Sequence, residues 1–446
     1  MPADRTLDRL RAACREAGTD DPSAVGPARS APRPAPAAAP GSDGPGPVRA
    51  AGERDTVAGL PARYVAAPRD TRQAAALLRA AADLDLAVTF RGGGTKLDWG
   101  NPPRRLDLIL DTTGLAGVVE HAAGDLITVV RAGTRLDALA ATLAGAGQQL
   151  ALDASPPGGT VGGAVATNAG GPRRMLYGTV RDLLIGVTLV RADGVVAHAG
   201  GKVVKNVAGY DLGKLVTGAY GTLGLVTECA FRLHPLPAAA AYVTRRVGDP
   251  AQAGRLAATV RAAQLVPAAL EVDMPAGGPA AVTVLLEGTP AGVAARAEAA
   301  RRLLGADTTV ADAPPRGWGQ HPWHAGDTGL KLTAALSGVP RLLTDARAAA
   351  DRHHLPLALR GSAGVGVLHA GVPGTADPDR VAGLVDELRT ATAAVAGHAV
   401  VLTAPAAVRD RVDLWGPVDG LALMRRVKQR FDPDARLAPG RFVGGI

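Results

Sequence analysis

The chain has 446 residues, 47% of them apolar but only 3% aromatic, and a formal net charge of +8 at pH 7. That length predicts two or three domains with a sizeable core, packed on Val, Leu and Ala for want of aromatics. The positive charge is spread along the chain, and only six of the 49 basic residues are lysine, so it reads as a solvated basic surface suited to an anionic cofactor or substrate, which argues against a nucleic-acid footprint.

In chain order, residues 1–25 carry a short helical pattern (Leu7, Leu10, Ala13) and no apolar signal core. Residues 26–55 are dominated by Ala, Pro, Gly and Ser. They cannot bury enough surface to offset ordering, and read as a disordered linker. Order is expected from about Leu60, with a helix over 71–83 and a buried strand over 87–90. Strands follow at 106–110 and 126–130, and helices at 134–146 and 161–168. Further strands fall at 183–190, 195–198 and 223–233. Pro235 and Pro237 close a first domain, 60–238. Residues 240–415 alternate helical stretches (251–263, 291–304, 342–353, 377–396) with strands (281–287, 364–370, 399–402), an α+β pattern. A last helix, 417–431, opens a C-terminal segment, 416–446. Cys14 and Cys229 are far apart and form no CxxC, so zinc ribbons and iron–sulfur clusters are not encoded; Cys229 lies in an apolar run and reads as core. No stretch of about 18 uncharged apolar residues predicts a membrane span, and the chain reads as cytoplasmic. GxSxG is absent, which removes the esterase reading.

Three glycine clusters lie within the first domain. Arg91-Gly92-Gly93-Gly94-Thr95-Lys96 follows a strand; such glycines let backbone N–H groups converge on an anion. It is neither GxGxxG nor a Walker A loop, and taken alone it is also readable as a plain turn. Pro156 to Gly171 (PPGGTVGGAVATNAGG) is a glycine loop entering a helix of small residues. A flat anionic cofactor can approach such a helix, and close helix–sheet packing is the other reading. Gly218 to Thr227 (GAYGTLGLVT) enters a strand, as a ring-edge contact or a bulge. Four of the six lysines, Lys96, Lys202, Lys205 and Lys214, stand beside these clusters, which suggests specific roles for them.

The ordered motifs RGGGTK, SPPGGTVGGAVATNAGG, YGTVRDLLIGVTLVRADG, GGKVVKNVAGYDL and GAYGTLGLV resemble the FAD-binding domain of vanillyl-alcohol-oxidase (PCMH-type) flavoproteins. Within that group they most resemble the FAD-binding subunit of glycolate oxidase. The likeness runs from about Leu60 to Pro237 and more weakly over 424–446. It implies an α+β chain: a PCMH-type FAD-binding domain of two α/β subdomains, a C-terminal α+β cap, and a last segment returning to the FAD domain. By the same resemblance, Arg91, Gly92, Gly93, Gly94, Thr95 and Lys96 cradle the pyrophosphate. Pro156, Gly159, Thr160, Val161, Gly162, Gly163, Asn168 and Gly171 line the pyrophosphate and flavin. Tyr177, Gly178 and Asp182 lie along the cofactor, and Gly221, Thr222, Gly224 and Val226 meet the adenine or flavin region. Some members tether FAD through a His in the first glycine loop; here Thr95 stands there, so FAD is expected to be non-covalent.

The cap departs from the pattern. Related 2-hydroxy-acid dehydrogenases carry Gly-His-Ile-Gly-Asp-Gly-Asn-Leu-His, whose two His help bind a metal. The matching stretch, Gly361 to His369, keeps only the last His, with Ser362 in place of the first. A Glu-His-Gly segment is also missing from Val401–Arg411, and aliphatic residues neither bind metal nor abstract protons. No metal site is expected. His321 and His324 (HPWH) have metal-pair spacing but flanking Pro and Gly, and read as loop residues. His353-His354 reads as charge at a helix end, and His369 as a core or surface residue. No catalytic residue is assigned; Lys205, Tyr210, Asp211 and Arg360 are candidates. The expectation is an FAD-binding subunit of a glycolate-oxidase-like complex acting on a small 2-hydroxy acid. Its partners would be a catalytic FAD subunit and an iron–sulfur subunit, with any contact at the inner face of the membrane made through them. The alternatives are a self-sufficient FAD oxidoreductase and a structural subunit with a vestigial site.

Overall fold

The computed structural model describes residues 4–17, 47–153, 156–202 and 209–446. Most of the linker expected over 26–55 lies outside these residues, as does Lys205. Order nevertheless begins before Leu60. Val48–Ala50 is a strand paired antiparallel with Tyr64–Ala66, and Val48 is buried. It is short and sits in a Gly/Pro-rich context, so its pairing is visible only across the sheet.

The first sheet has strand order 48–50, 64–66, 108–111, 88–91, the last three parallel. Helix Thr71–Asp83 packs Ala74, Leu77, Leu78 and Ala81 against it. The N-terminal helix Arg5–Glu16 joins the same core through Leu10 and Cys14. Its cap, Asp4, accepts the Thr6 and Leu7 amides and the Tyr64 hydroxyl (2.7 Å). Full burial of Leu10 alone is worth about 1.5–3 kcal/mol.

The second sheet is antiparallel, in the order 196–200, 184–190, 225–232, 127–131, 118–122. Cys229 lies in its core, as expected. The third has eight antiparallel strands: 308–311, 239–247, 280–288, 269–274, 358–362, 367–372, 328–333, 399–403. Five of these, 239–247, 269–274, 308–311, 328–333 and 358–362, were not expected from periodicity. Alternation of side chains across a strand gives this sheet two unlike faces. Leu270, Val272, Leu359, Leu368, Ala370, Leu330, Leu332 and Val401 share one core with helices Pro250–Ala262, Pro290–Leu304, Val339–Arg352 and Pro378–Ala393. The other face carries Glu271, Asp273, Arg360, Ser362, His369 and Lys331. The register aligns Asp273, Arg360, His369, Lys331 and Val400 in one cross-strand row, with Glu271 opposite Ser362 beside it.

The C-terminal segment is woven into the first domain. The Val88 amide donates to Arg436 O (2.8 Å), and the Ala438 amide donates back to Val88 O (2.7 Å). The Arg441 guanidinium donates to the carbonyls of Leu97 and Trp99. The last helix begins at Leu421 rather than 417.

Candidate functional site

Three cavities run in series and meet at Tyr220, which lines all of them. Two are narrow, about 80 Å³ each, and are walled by the glycine clusters. The third, about 300 Å³, lies between the second and third clusters and the polar face of the eight-stranded sheet.

The first cluster leaves the strand Val88–Arg91 at the mouth of one narrow cavity. The amides of Gly92, Gly93, Gly94 and Thr95 donate to no described residue, which leaves four donors for an anion. The loop lies so close to the second cluster that a Cβ on Gly93 would collide with the Gly158 carbonyl, and one on Gly92 with the Thr160 hydroxyl. Lys96 completes this wall. Its ammonium has no anionic partner among the described residues and lies 5.6 Å from the Trp99 ring centroid; burial lowers its pKa to about 8. Arg91 is placed differently from the rest of its motif. Its guanidinium binds Asp55 and Asp111, both at 2.8 Å, while Asp55 also binds Arg49. It braces the base of the loop. The Arg49 hydrogen bond, first among several, holds the Asp55 carboxyl well below the usual range.

The second cluster forms helix Val161–Thr167. Its first amides are already satisfied: Val161 donates to Thr134 O, Gly162 to Ala132 O, and Gly163 to Thr160 Oγ1. Thr160, Gly162 and Gly163 wall the narrow cavities, whereas Val161 is buried in the core. Asn168 ends the helix with φ 48°, and its buried Oδ1 has no hydrogen-bond partner. Asn168 and Gly171 line the large cavity. Pro156 and Gly159 do not line the three cavities, and Gly159 O accepts the Leu136 amide. Tyr177, Gly178 and Asp182 also stand away from them: Tyr177 donates to Glu287 (2.8 Å), and Asp182 caps helix Val180–Leu183 through Thr179. Gly221, Gly224 and Val226 line the remaining narrow cavity. Thr222 is buried behind them, its carbonyl accepting from Lys428 Nζ (2.8 Å).

The chain has four Trp, five Tyr and four Phe; Trp99, Trp415, Tyr220 and Phe442 all line the large cavity. Tyr220 meets Trp415 edge-on, with centroids 5.2 Å apart. Opposite stand Arg174, Glu271, Lys331, Arg360, Ser362 and the rings of His321 and His369. The His321 and His369 centroids are 4.7 Å apart, and His321 stacks on Trp323 at 4.4 Å. His321 is a loop residue, as expected, but its ring reaches the cavity and packs on His369, a contact that the sequence reading did not foresee. His324 is exposed and forms no pair with His321. Burial, with Lys96 and Arg360 nearby, lowers the pKa of His321 to about 4, and burial beside His321 holds His369 well below its usual value. Burial pushes the Glu271 carboxyl up to about 8 and lowers Lys331, whose ammonium has no anionic partner among the described residues. Near neutral pH the cavity therefore presents two neutral imidazoles, a protonated carboxyl and an unpaired cation.

The lysine reading also changes. Lys202 pairs with Glu120, and Lys214 with Asp211, in exposed ion pairs. Interior roles fall instead to the half-buried Lys331 and the buried Lys428, which are remote in sequence from the clusters. Tyr210 is 92% exposed and Asp211 caps helix Leu212–Val216, so of the four catalytic candidates only Arg360 reaches the cavity among the described residues. No group of three or more His, Cys, Asp or Glu suited to a metal occurs among the described residues.

Four free loop amides, an adjacent half-buried cation, glycine walls and an orphaned Asn168 oxygen suit FAD: a pyrophosphate at the first loop and a polar ring near Asn168. Residues 62–200 match the FAD binding domain family, and residues 330–442 the C-terminal domain of FAD linked oxidases. The chain is 36% identical over 162 residues to glycolate oxidase subunit GlcE of Escherichia coli, covering 36% of this chain and 46% of that protein. It is 34% identical over 171 residues to the D-lactate dehydrogenase of Archaeoglobus fulgidus, covering 38% of each. The matches thus span less than half the length of these curated relatives. A solved chitooligosaccharide oxidase superposes with TM-score 0.64 at 17% identity, over 87% of this chain and 95% of that one. The chain is therefore an FAD-dependent oxidoreductase of PCMH-type fold, with an FAD binding domain over residues 62–200 and an FAD linked oxidase C-terminal domain over residues 330–442.

Proposed function

We propose that this chain binds FAD non-covalently along the three cavities and oxidises a small 2-hydroxy acid held against the polar face of the eight-stranded sheet. The observation that carries this reading is the cavity itself, where a half-buried Lys331 with no anionic partner among the described residues, Arg174 and two neutral imidazoles converge. When bound, FAD supplies the hydride acceptor. Lys331 and Arg174 hold the substrate carboxylate, and charge-assisted contacts of this kind are strong where water is excluded. The His321–His369 pair takes the hydroxyl proton; its low pKa keeps a ring nitrogen free to accept near neutral pH. Trp99, Trp415 and Phe442 exclude water. The pyrophosphate falls to the amides of Gly92 to Thr95 and to Lys96, with Gly162, Gly163, Gly221, Gly224 and Val226 walling the cofactor. Thr95 offers no side chain for a flavin bond, and both cysteines are buried elsewhere in the cores.

The test is anaerobic titration of the purified yellow protein with glycolate and D-lactate. Bleaching of the flavin is expected, and no bleaching by any small 2-hydroxy acid would refute the reading. Acid precipitation should release the colour; colour retained on the protein would refute the non-covalent part. A second reading makes the chain an FAD-binding subunit beside a catalytic FAD subunit and an iron–sulfur subunit, cytoplasmic and held to the inner face of the membrane through them. It is supported by the likeness to a glycolate oxidase subunit and by Ser362, Val400 and Leu402 at cavity positions that bring no proton acceptor. Bleaching only after the partners are added would favour it. No helix among the described residues is long and apolar enough to cross a membrane.

A further inference from the structure

The segment 312–327, between strands Thr308–Ala311 and Thr328–Thr333, carries His321 into the cavity without belonging to any helix or strand. Something must therefore hold it there. Trp323 is seated on the sheet over Gly329 and Gly371, where a Cβ on Gly329 would strike the indole at 2.5 Å. Asp327 accepts the His324 and Gly374 amides, each at 2.8 Å, and so ties the far end. The near end is tethered by a charged group, Arg360. Arg360 donates to the Gly317 carbonyl (3.0 Å) and the Gln320 carbonyl (3.4 Å), and to both oxygens of Asp273 (3.0 and 3.1 Å). Gly317 has φ 78°, and a Cβ there would meet the guanidinium at 2.7 Å. The loop backbone thus presents its carbonyls directly to that group.

We propose that the Asp273–Arg360 pair is a positioning device that fixes His321 in the substrate cavity. The inference rests on the function proposed above for the importance of His321, though not for the tether. Asp273 and Arg360 lie directly opposite each other on neighbouring strands, so the sheet register sets the guanidinium. Arg360 is bidentate toward the carboxylate through Nε and Nη2 and turns Nη1 to the loop carbonyls, a geometry a lysine cannot reproduce. The same guanidinium faces the His321 ring with Lys96 and Arg174, so it also favours the neutral imidazole. Arg360 acts on the reaction through His321, as a positioning residue.

The test uses the FAD-loaded full chain and two readouts. The first is the rate of carbethoxylation of His321 by diethylpyrocarbonate, followed by peptide mass spectrometry, which needs no substrate. Arg360→Met should raise that rate at least about tenfold at unchanged flavin content, with Arg360→Lys and Asp273→Asn in between. The second is the pH profile of flavin reduction by a 2-hydroxy acid, whose acid limb should move in Arg360→Met, with kcat falling more than KM rises. An unchanged His321 modification rate in Arg360→Met, with flavin retained, overturns the proposal. If no 2-hydroxy acid reduces the wild-type flavin, the proposed function falls, while the modification rates still decide the tether.

Discussion

Lys428 offers the sharpest quantitative test of how the C-terminus holds the cofactor groove. Its ammonium, 8% exposed, donates to Asp432 (2.6 Å), to Thr222 O in the third glycine cluster (2.8 Å) and to Leu437 O (2.9 Å). Asp432 is fully buried; beyond this cation its side chain accepts, among the described residues, only the amides of Arg436 (3.1 Å) and Leu437 (2.7 Å). Lys428→Met keeps the bulk but strands a buried carboxylate and leaves two carbonyls short of a donor. Removing one partner of a buried pair costs about 3–5 kcal/mol, a large share of the roughly 5–15 kcal/mol that holds a typical domain. A chain of several cores need not unfold in one step, so the proper assay is native-state hydrogen exchange. The amides of Val88 and Ala438, which join the C-terminal segment to the first sheet, should lose about two to three and a half powers of ten in protection. FAD should also bind more weakly, because Thr222 adjoins Gly221 and Gly224. Lys428→Met combined with Asp432→Leu should recover most of the loss, since an apolar pair replaces the ionic one without an orphan charge. A drop of less than tenfold in Lys428→Met would refute the reasoning.

Three further outcomes follow from the same geometry. Gly93→Ala drives a methyl into the Gly158 carbonyl, a backbone atom that cannot swing away; FAD affinity should fall at least about tenfold by fluorescence titration, and unchanged affinity would contradict the close approach of the two loops. Lys331→Met should raise KM for a 2-hydroxy acid by about tenfold or more, the loss expected of one charge-assisted contact, at unchanged FAD content; an unchanged KM would remove Lys331 from substrate binding. Stability should fall on the acid side as pH drops from 6.5 toward 4: the fold lowers His321 and His369, so the unfolded chain binds more protons in that window. Glu271 acts oppositely: its raised pKa gives a contribution that is full below about 4.5 and lost as pH rises through about 8. Denaturation midpoints against pH check both limbs, and a His321→Asn variant with an unchanged acid limb would refute the first.

The FAD-binding half was legible in the sequence because its requirements are local. Backbone that must approach a flat anion within contact distance admits only glycine, and RGGGTK, PPGGTVGG and GAYGTLGL state that residue by residue. The long helices were legible for a similar reason, their 3.6-residue periods surviving in an Ala-rich chain. The five missed strands were not, because a strand of an eight-stranded sheet is specified by partners far away in sequence: Glu271 meets Ser362, and Lys331 meets His369, only through register.

What tertiary structure alone decided is the chemistry of the large cavity. His321 is a loop residue, as its sequence context says, but its half-buried ring sits against Trp323 and His369 in the cavity, where burial keeps the imidazole neutral, and Arg360 holds the loop carbonyls nearby. Lys331 and Lys428 gain their roles by burial, and Lys202 and Lys214 lose theirs to exposed carboxylates. Arg91 turns from the pyrophosphate to Asp55 and Asp111 because those carboxylates arrive from a loop and from the neighbouring strand. Motif spacing reports backbone shape over a few residues; charge state and accessibility depend on what packs from a hundred residues away. For that reason the sequence by itself determined that a flavin-binding fold is present, and only the folded chain decided which side chains face the place where a substrate can sit.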